Sequence, residues 1–508
     1  MPSPRLTLRL APKDNVVVAL EDLTSGTSID GEGVTLSGSV PRGHKLAVQP
    51  IAAGEPVTKY GQVIGQATEA IAPGDHVHVH NCGVTSFDRD PRMSEAVPTT
   101  HLVPEGDRRT FMGYRRPGGR VGTRNYLGVV SSVNCSSSVA RFIAEAVNRE
   151  DLTRGMEGID GVVPFVHGTG CGMADQGEHF DLLRRTLWGY AVHPNLAGVL
   201  FVGLGCEVFQ LARMKSEYGV EDHDGFRTLT IQESGGTRRA IEAGVEAIRE
   251  MLPVALSAQR EAVPASELTL ALQCGGSDGY SGITANPALG AAVDRLVEQG
   301  GTAVLSETPE IYGAEHLLTR RAVRPEVGDR LLERLRWWED YTARNGMEMN
   351  NNPSPGNKAG GLTTILEKSL GAVAKGGSTA LAGVYRYAEP IDTRGFVFMD
   401  SPGYDPCSIT GQVAAGANMV CFTTGRGSAF GYKPAPSIKL ATNTDLYQRM
   451  EEDMDINCGD ILDGVSIREK GDSIFEEILE VASGKRTKSE LLGYGDHEFV
   501  PWQTGAVM

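Results

Sequence analysis

From about Arg116 onward, short apolar runs alternate with stretches of helical spacing, and this alternation restricts the architecture more than any other feature of the chain. "NYLGVVSSV" (125–133) reads as a buried strand, and "SVARFIAEAVNRE" after it carries apolar residues at helical intervals. "IDGVVPFVHG" and "LAGVLFVGLG" repeat the strand signal, and "TLTIQESGG" is followed by the helical "TRRAIEAGVEAIREML". A second block begins after "PASE" (264–267). Its strands are "LTLALQCGG", "TAVLSET", "GFVFMDSP", "ANMVCFTTG" and "SIKLATN"; its helices are "PALGAAVDRLVEQGG" and "VGDRLLERLRWWEDYTARNG". Strand–helix alternation implies mostly parallel sheets covered by helices.

The beginning of the chain differs. "NVVVAL", "HKLAVQP", "GQVIGQA" and "HVHVHN" are short strand-like runs separated by Gly, Pro and Asp, the pattern of a small β-rich module. Residues 86–109 contain three prolines and few apolar pairs, and read as a linker. The expected organisation is a β module over 1–105, an α/β domain over 106–265 and a C-terminal α/β domain over 266–508. The formal net charge of −16 argues against general affinity for nucleic acid or an anionic membrane, but not against a small anionic ligand met by local cations. No apolar run approaches the roughly 20 residues that span a bilayer, and the N-terminus lacks the apolar segment of a signal peptide, so a cytoplasmic location is expected. The eight cysteines are widely spaced with no CxxC pair, which in a reducing compartment predicts free thiols or ligands.

Ligands of open α/β sheets gather beyond the carboxyl ends of the strands. The loops there read "NCSSS", "HGTGCGMADQGEH", "GLGCE", "QCGGSDGYSG", "SETPE" and "TTGRGSAFG", rich in Gly, Ser, Cys and acidic residues. Four cysteines, Cys135, Cys171, Cys206 and Cys274, occupy strand ends. They are either small buried hydrophobes or ligands converging on a metal, and their spacing matches no standard zinc or iron–sulfur motif. "NNNPSPGNKAGG" (350–361) is rigid and rich in donors, suited to hydroxyl and carboxylate groups or else a plain surface turn. In "GDHVHVHN" (74–81), strand periodicity puts His76, His78 and His80 on one face, with Val77 and Val79 on the other, in the module's core. Neighbouring histidines would lie about 6.6 Å apart along the strand and the outer two about 13 Å, so an adjacent pair could share a metal and the third could not join it. A solvated polar face is the alternative.

The combination of "GTRNYLGVV", "GCGMADQGEH", "GLGCE", "QCGGSDGYSGITANP", "NPSPGNKAGGLTTILEKSLG" and "FTTGRGSAFG" resembles the altronate/galactarate dehydratase family over almost the whole chain. The opening "KDNVVVALEDLTSGTSI" and "HVHVHN" resemble that family's N-terminal SAF (β-clip) module, and the histidine strand resembles the altronate-type branch. The resemblance implies dehydration of a sugar acid to a 2-keto-3-deoxy acid with a divalent metal, Fe2+ or Mn2+. It makes His167 and Lys358 candidate bases, and Arg124, Lys358 and Arg426 candidate carboxylate binders. Ser277, Asp278, Asn352 and Ser354 are further substrate-binding candidates from the two polar loops. His76, His78, His80, Cys135, Cys171, Cys206 and Cys274 are metal candidates, not all at once. An iron–sulfur hydro-lyase using the strand-end cysteines is a competing reading, and a non-catalytic sugar-acid sensor a third. No nicotinamide fingerprint follows the first strand. The expected partner is a small sugar acid, with neither nucleic acid nor membrane, in a homo-oligomer.

Overall fold

The computed structural model describes residues 5–84, 92–149 and 158–507. In the N-terminal module, Thr7–Leu8, Val16–Ala19, Lys45–Ala47 and His76–Val77 form one antiparallel sheet. Pro56–Lys59, Gln62–Ala67 and Cys82–Gly83 form a second, and Ser28–Ile29 pairs with Val34–Thr35. The all-apolar run Val16–Ala19 is buried on both faces of its sheet. Val16 packs with Val57, Ile64 and Val77, Val17 packs with Leu23, Ile29 and Leu46, and Val18 meets Tyr280 and Ile283 of the C-terminal domain.

The histidine segment departs from the expected strand. Only His76 and Val77 are paired; at His78 the chain turns, its carbonyl accepting from the backbone N–H of Asn81 (3.0 Å) and Cys82 (2.8 Å). The Asn81 side chain drives the turn, since its Oδ1 accepts from the His78 N–H at 2.9 Å and its amide donates to the His76 carbonyl at 3.0 Å. Val77 is therefore core, but Val79 is exposed, and His80 stands on the turn rather than on a shared strand face.

The second domain holds four parallel strands in the order Gly161–Phe165, Tyr126–Ser131, Leu196–Gly203, Phe226–Thr230. Helices Asn134–Arg149 and Thr237–Ser257 bury Val139, Ile143, Ile248 and Met251 against Leu127 and Val129 on one face. On the other face Phe165 and Phe201 share a core with Tyr190 and with Val413, Val420 and Phe422 of the C-terminal domain. Thr110–Arg115 and Arg260–Pro264 pair antiparallel and tie the entry of this domain to its exit.

The C-terminal domain is built on seven parallel strands, in the order Leu381–Tyr385, Gly395–Met399, Thr302–Leu305, Thr269–Cys274, Met419–Thr424, Ser437–Ala441, Ile456–Asn457. The chain builds outward on one side of Thr269–Cys274, then crosses back to place Met419–Thr424 on the other. The connections leaving these two strands run to opposite sides of the sheet, which makes their carboxyl ends the switch point where ligands of such sheets gather. The two loops themselves are tied together by the Gly425 and Arg426 N–H groups, which donate to the Gly276 carbonyl at 3.1 and 2.9 Å. No helix among the described residues is long and apolar enough to cross a membrane.

The module is fastened to this domain by a buried charge triad. Lys45 Nζ donates to Glu367 Oε2 and Lys59 Nζ to Glu367 Oε1, both at 2.9 Å, with all three side chains out of solvent. Lys45 also donates to the Gly361 carbonyl at 2.6 Å, and Thr363 donates to Glu367 through its N–H and hydroxyl. Burial opposes ionisation of Glu367, but the two ammonium groups and these hydrogen bonds outweigh it and hold the carboxyl below its usual range. Removing one member strands the others in a low-dielectric site. Glu367→Ala is therefore expected to lose about 3–5 kcal/mol in the first transition of a urea titration, and a loss within the error of the wild-type curve would show that the triad does not secure the module.

Candidate active site

The strand crossover is covered by the segment 350–361. Gly279 N–H donates to the Gly360 carbonyl at 2.7 Å, and the Asn357 side-chain amide donates to the Ser277 carbonyl at 2.9 Å. The loops pack closely here: a Cβ at Gly360 would come to 3.0 Å from the Asp278 Cβ and 3.3 Å from the Arg426 Cδ. Asp278 is buried and accepts from the Thr442 and Ser281 hydroxyls and the Asn443 amide, so it organises the loop and has little capacity left for a ligand. Ser354 caps the short helix Pro355–Ala359, accepting from the Asn357 N–H at 3.2 Å, with Asn357 Oδ1 returning the bond to Ser354 N–H. Lys358 lies half-buried on that helix and Arg426 is exposed across from it. Neither cationic head has a hydrogen bond or ion pair to a described residue.

Below this loop lies a cluster of buried acids and bases. Cys274, the last residue of the central strand, has its Sγ 2.8 Å from Lys375 Nζ and 3.3 Å from Glu310 Oε2. Lys375 Nζ also reaches Glu307 Oε2 at 3.4 Å. Lys368 Nζ donates to Glu310 Oε1 and to Asn352 Oδ1, each at 2.7 Å. Glu307 adopts φ +69°, the left-handed region that is costly for a residue with a Cβ, and its Oε1 is buried without a hydrogen-bond partner among the described residues. Burial, together with the neighbouring Glu310, pushes Glu307 up to about 8. Burial acts the same way on Glu310, but Lys368 and Lys375 outweigh it and hold that carboxyl below its ordinary value. Asp405, at the first turn of helix Asp405–Ala414, is pushed up to about 6 by burial and by Glu310.

A second cluster faces the other end of the same segment. His44 Nδ1 and His76 Nε2 lie 3.0 Å apart, and the rings of His44 and His78 have centroids 4.8 Å apart. One ring nitrogen from each of His44, His76 and His78 falls within 4.8 Å of the others. Antiparallel register brings His44 in, since Leu46 pairs with His76 across the sheet. Burial, reinforced by the neighbouring imidazoles and Lys45, lowers His76 to about 4 and His78 to about 3, and burial lowers His44 as well. Three neutral imidazoles whose ring nitrogens converge are a nitrogen donor set for a divalent cation, which would replace the hydrogen bond that His76 Nε2–H donates to His44 Nδ1. The His78 Nδ1 is buried without a partner among the described residues, and His44 Nε2 lies 3.3 Å from the Ala359 carbonyl, which fixes the His44 tautomer so that Nδ1 points its lone pair inward. Cys274, Glu307 and Glu310 also converge within 4.8 Å, but the ammonium of Lys375 already occupies the cation's position there. The histidine set is the better metal site.

Other expected residues serve different ends. Arg124 is buried and all its N–H groups are used, in a bidentate pair with Glu490 and in bonds to the carbonyls of Thr123, Val481 and Lys485. It is a structural tie between domains rather than a carboxylate binder. His167 is buried, with Nε2 2.9 Å from the Ser131 carbonyl and Nδ1 accepting from Thr169 N–H at 3.2 Å. Both nitrogens are occupied and burial lowers it to about 4, so it braces two strand ends and is not poised as a base. His80 is exposed, its ring 5.5 Å from that of His76 rather than at the distance an extended strand would impose. The four strand-end cysteines do not form one set: Cys274 is buried in the large sheet, apart from Cys135, Cys171 and Cys206, which are exposed on the smaller one. Sequence reasoning missed His44, Glu307, Glu310, Lys368, Lys375 and Asp405. "SETPE" was visible as an acidic strand-end loop, but which carboxylates would meet lysines from a helix more than fifty residues later was not.

Family profiles match three successive stretches. "Altronate/galactarate dehydratase SAF domain" covers residues 5–85, "D-galactarate dehydratase/Altronate hydrolase, second domain" covers 113–256, and "D-galactarate/Altronate dehydratase, C-terminal" covers 265–507. The altronate dehydratase of Bacillus subtilis (strain 168) is 37% identical over 495 residues, 95% of this chain and 96% of its own. The altronate dehydratase of Escherichia coli (strain K12) is 38% identical over 486 residues, 95% of this chain and 96% of its own. The galactarate dehydratase (L-threo-forming) of the same strain is 37% identical over 490 residues, 94% and 93% of the two chains.

If the three imidazoles hold the cation, His44→Ala, His76→Ala and His78→Ala should each weaken Mn2+ binding by at least about 10–100-fold, the loss that even outer-shell partners produce. His80→Ala should leave it unchanged. Equilibrium dialysis under anaerobic conditions, with circular dichroism as the folding control, measures this; equal affinities across all four variants would remove the site.

Proposed function

The chain belongs to the altronate/galactarate dehydratase family, and we propose that it converts D-altronate to 2-keto-3-deoxy-D-gluconate and water. The observation that carries this reading is the pair of buried carboxyls Glu307 and Glu310, whose oxygens converge within 4.8 Å, the one 3.4 Å from Lys375 Nζ and the other 2.7 Å from Lys368 Nζ. Burial beside Glu310 favours the protonated form of Glu307. Dehydration of a 2,3-dihydroxy acid needs one group that accepts the C2 proton and one that gives a proton to the departing C3 hydroxyl. A carboxylate kept ionised beside a carboxyl kept protonated is such a pair. Glu310, ionised between two lysines, accepts the C2 proton, and Glu307 protonates the hydroxyl as it leaves. The C2–C3 double bond so formed is an enol, which tautomerises to the ketone. Because the carboxyl oxygens of the two residues lie within 4.8 Å, the proton gained by one can return to the other between turnovers.

Lys358 and Arg426, whose cationic heads have no hydrogen bond or ion pair among the described residues, would receive the substrate carboxylate. Asn352 and Lys368 offer donors to its hydroxyls from the opposite side. His44, His76 and His78 would hold a divalent cation, Fe2+ or Mn2+, which when bound supplies Lewis-acid polarisation of a substrate oxygen. The segment 350–361 links the two clusters, touching Lys368 through Asn352 and His44 through Ala359. The substrate assignment is tested by supplying D-altronate and galactarate separately to the anaerobic, metal-supplemented protein and identifying the keto acid formed. Turnover of galactarate alone would reassign the substrate, and turnover of neither would end the proposal.

Glu307→Gln should lower kcat by about 10²–10⁴-fold, the usual contribution of a positioned proton donor, with a smaller change in KM. The sign of the pH dependence follows from the raised carboxyl. Glu307 carries its proton below about 8 and loses it above, so kcat should fall as pH rises through that value. That alkaline limb should be absent from the residual activity of Glu307→Gln; its persistence there would assign the limb to another group.

A further inference from the structure

The second domain has a strand crossover of its own, distinct from the one described above, and its chemistry is unassigned. Its first strand, Tyr126–Ser131, has Gly161–Phe165 on one side and Leu196–Gly203 on the other. The loops after these three strands carry Cys135, Cys171 and Cys206. These are the exposed cysteines of the described chain; the other five are buried. The loops are joined to one another by direct bonds. Asn134 N–H donates to the Thr169 carbonyl at 2.9 Å, Val208 N–H donates to the Gly170 carbonyl at 3.2 Å, and the Ser132 hydroxyl donates to Glu207 Oε1 at 2.7 Å. Each cysteine is thus within two residues of a hydrogen bond that ties its loop to a neighbouring loop.

The loops are shaped for close approach. Gly170 has φ +97°, and a Cβ there would come to 2.4 Å from the Ser132 carbonyl oxygen. Gly205 has φ +124°, and a Cβ there would come to 2.5 Å from Gln232 Oε1. Cys135 lies in the first turn of the 16-residue helix Asn134–Arg149, where the helix dipole favours an anionic sulfur. The Gln232 amide donates to Cys206 Sγ at 3.7 Å. A cavity of about 330 Å³ is lined by Asn134 and Ser137, on the helix turn that carries Cys135, and by His167, Gly168 and Gln503 among others. The carboxylate next to Cys206, that of Glu207, is not free for a ligand: it is buried and turned to Ser132 and to the N–H groups of Leu204 and Gly205.

We propose that Cys135, Cys171 and Cys206 bind a [4Fe–4S] cluster through three thiolates. Each thiol loses its proton and forms one Fe–S bond, and the fourth iron has no protein ligand and takes an oxygen ligand from the cavity side. Soft thiolates select iron–sulfur clusters over hard cations, and three residues from three loops can surround a cuboidal cluster without any CxxC spacing. Amide donors to the sulfurs stabilise the bound anion.

The test is anaerobic treatment of the full-length protein with equal amounts of ferrous and ferric iron and with sulfide, which together supply the two Fe2+, two Fe3+ and four S2− of the cluster, followed by desalting. Wild type should retain about four iron and four acid-labile sulfide per chain with the broad visible absorption of a brown cluster. Cys135→Ser, Cys171→Ser and Cys206→Ser should each lose at least half of both elements. His78→Ala should retain them, which separates this site from the histidine site and from turnover. Alkylation mapped by mass spectrometry gives a measure independent of mutant folding: the three cysteines should be protected in the loaded protein and modified after cluster removal. Wild type that retains no sulfide, or that takes up zinc in its place under the same conditions, would overturn the proposal, as would full alkylation of the three cysteines in the brown protein.

Discussion

Glu367 sits fully buried between Lys45 and Lys59, and the geometry of the catalytic face depends on that arrangement. The pair Lys45–Glu367 joins a strand of the small β module to helix Ile365–Val373, and the next residue of that helix, Lys368, reaches into the acid–base cluster. One helix therefore positions the module with one side chain and the carboxylate pair with the next. The same Lys45 charge, secondary to burial, helps keep His76 and His78 neutral and so available as donors. A hydrophobic contact could have secured the module equally well, because a buried ion pair is weak evidence for stability. It could not have set the charge of the histidine site at the same time.

The two α/β sheets carry different chemistry at topologically similar places. Each has a switch point where the chain reverses its direction of sheet growth, and each fills the loops there with glycine and polar residues. At the large sheet the buried set is Cys274, Glu307, Glu310, Lys368 and Lys375, a charged cluster out of contact with water. At the small sheet the set is three exposed thiols. The sheets share a core through Phe165, Phe201, Val420 and Phe422, so the two switch points are held rigidly in one molecule.

Strain and burial coincide at Glu307. Its left-handed backbone, unpartnered carboxyl oxygen and raised protonation all follow from one placement, immediately after Thr302–Leu305 and against Cys274 on the adjacent strand. The Ser401 hydroxyl accepts from its N–H at 2.9 Å, which fixes the turn from below. A residue held in that conformation keeps its carboxyl in the buried cluster instead of letting it rotate to a better-solvated position, and such strain persists only where the surroundings over-determine it.

Local pattern alone settled much of this protein. Strand–helix alternation required parallel sheets covered by helices, the short alternating runs required a separate β module, and glycine-rich strand ends marked where ligands must sit. The family resemblance, readable from "QCGGSDGYSG" and "NPSPGNKAGG", indicated the class of chemistry. Sequence periodicity misread the histidine run, because one side chain, Asn81, bonds to the backbone and bends the chain where a continuous strand was expected. It gave Arg124 to substrate, because nothing local shows that Glu490, far along the chain, takes its guanidinium. Above all, the partnership of His44 with His76, and of Glu310 with Lys368, arises from register and crossover connections between segments distant in sequence. Those are decided only when buried surface selects one packing, since a charge or imidazole in the linear chain carries no record of which low-dielectric neighbour it will meet.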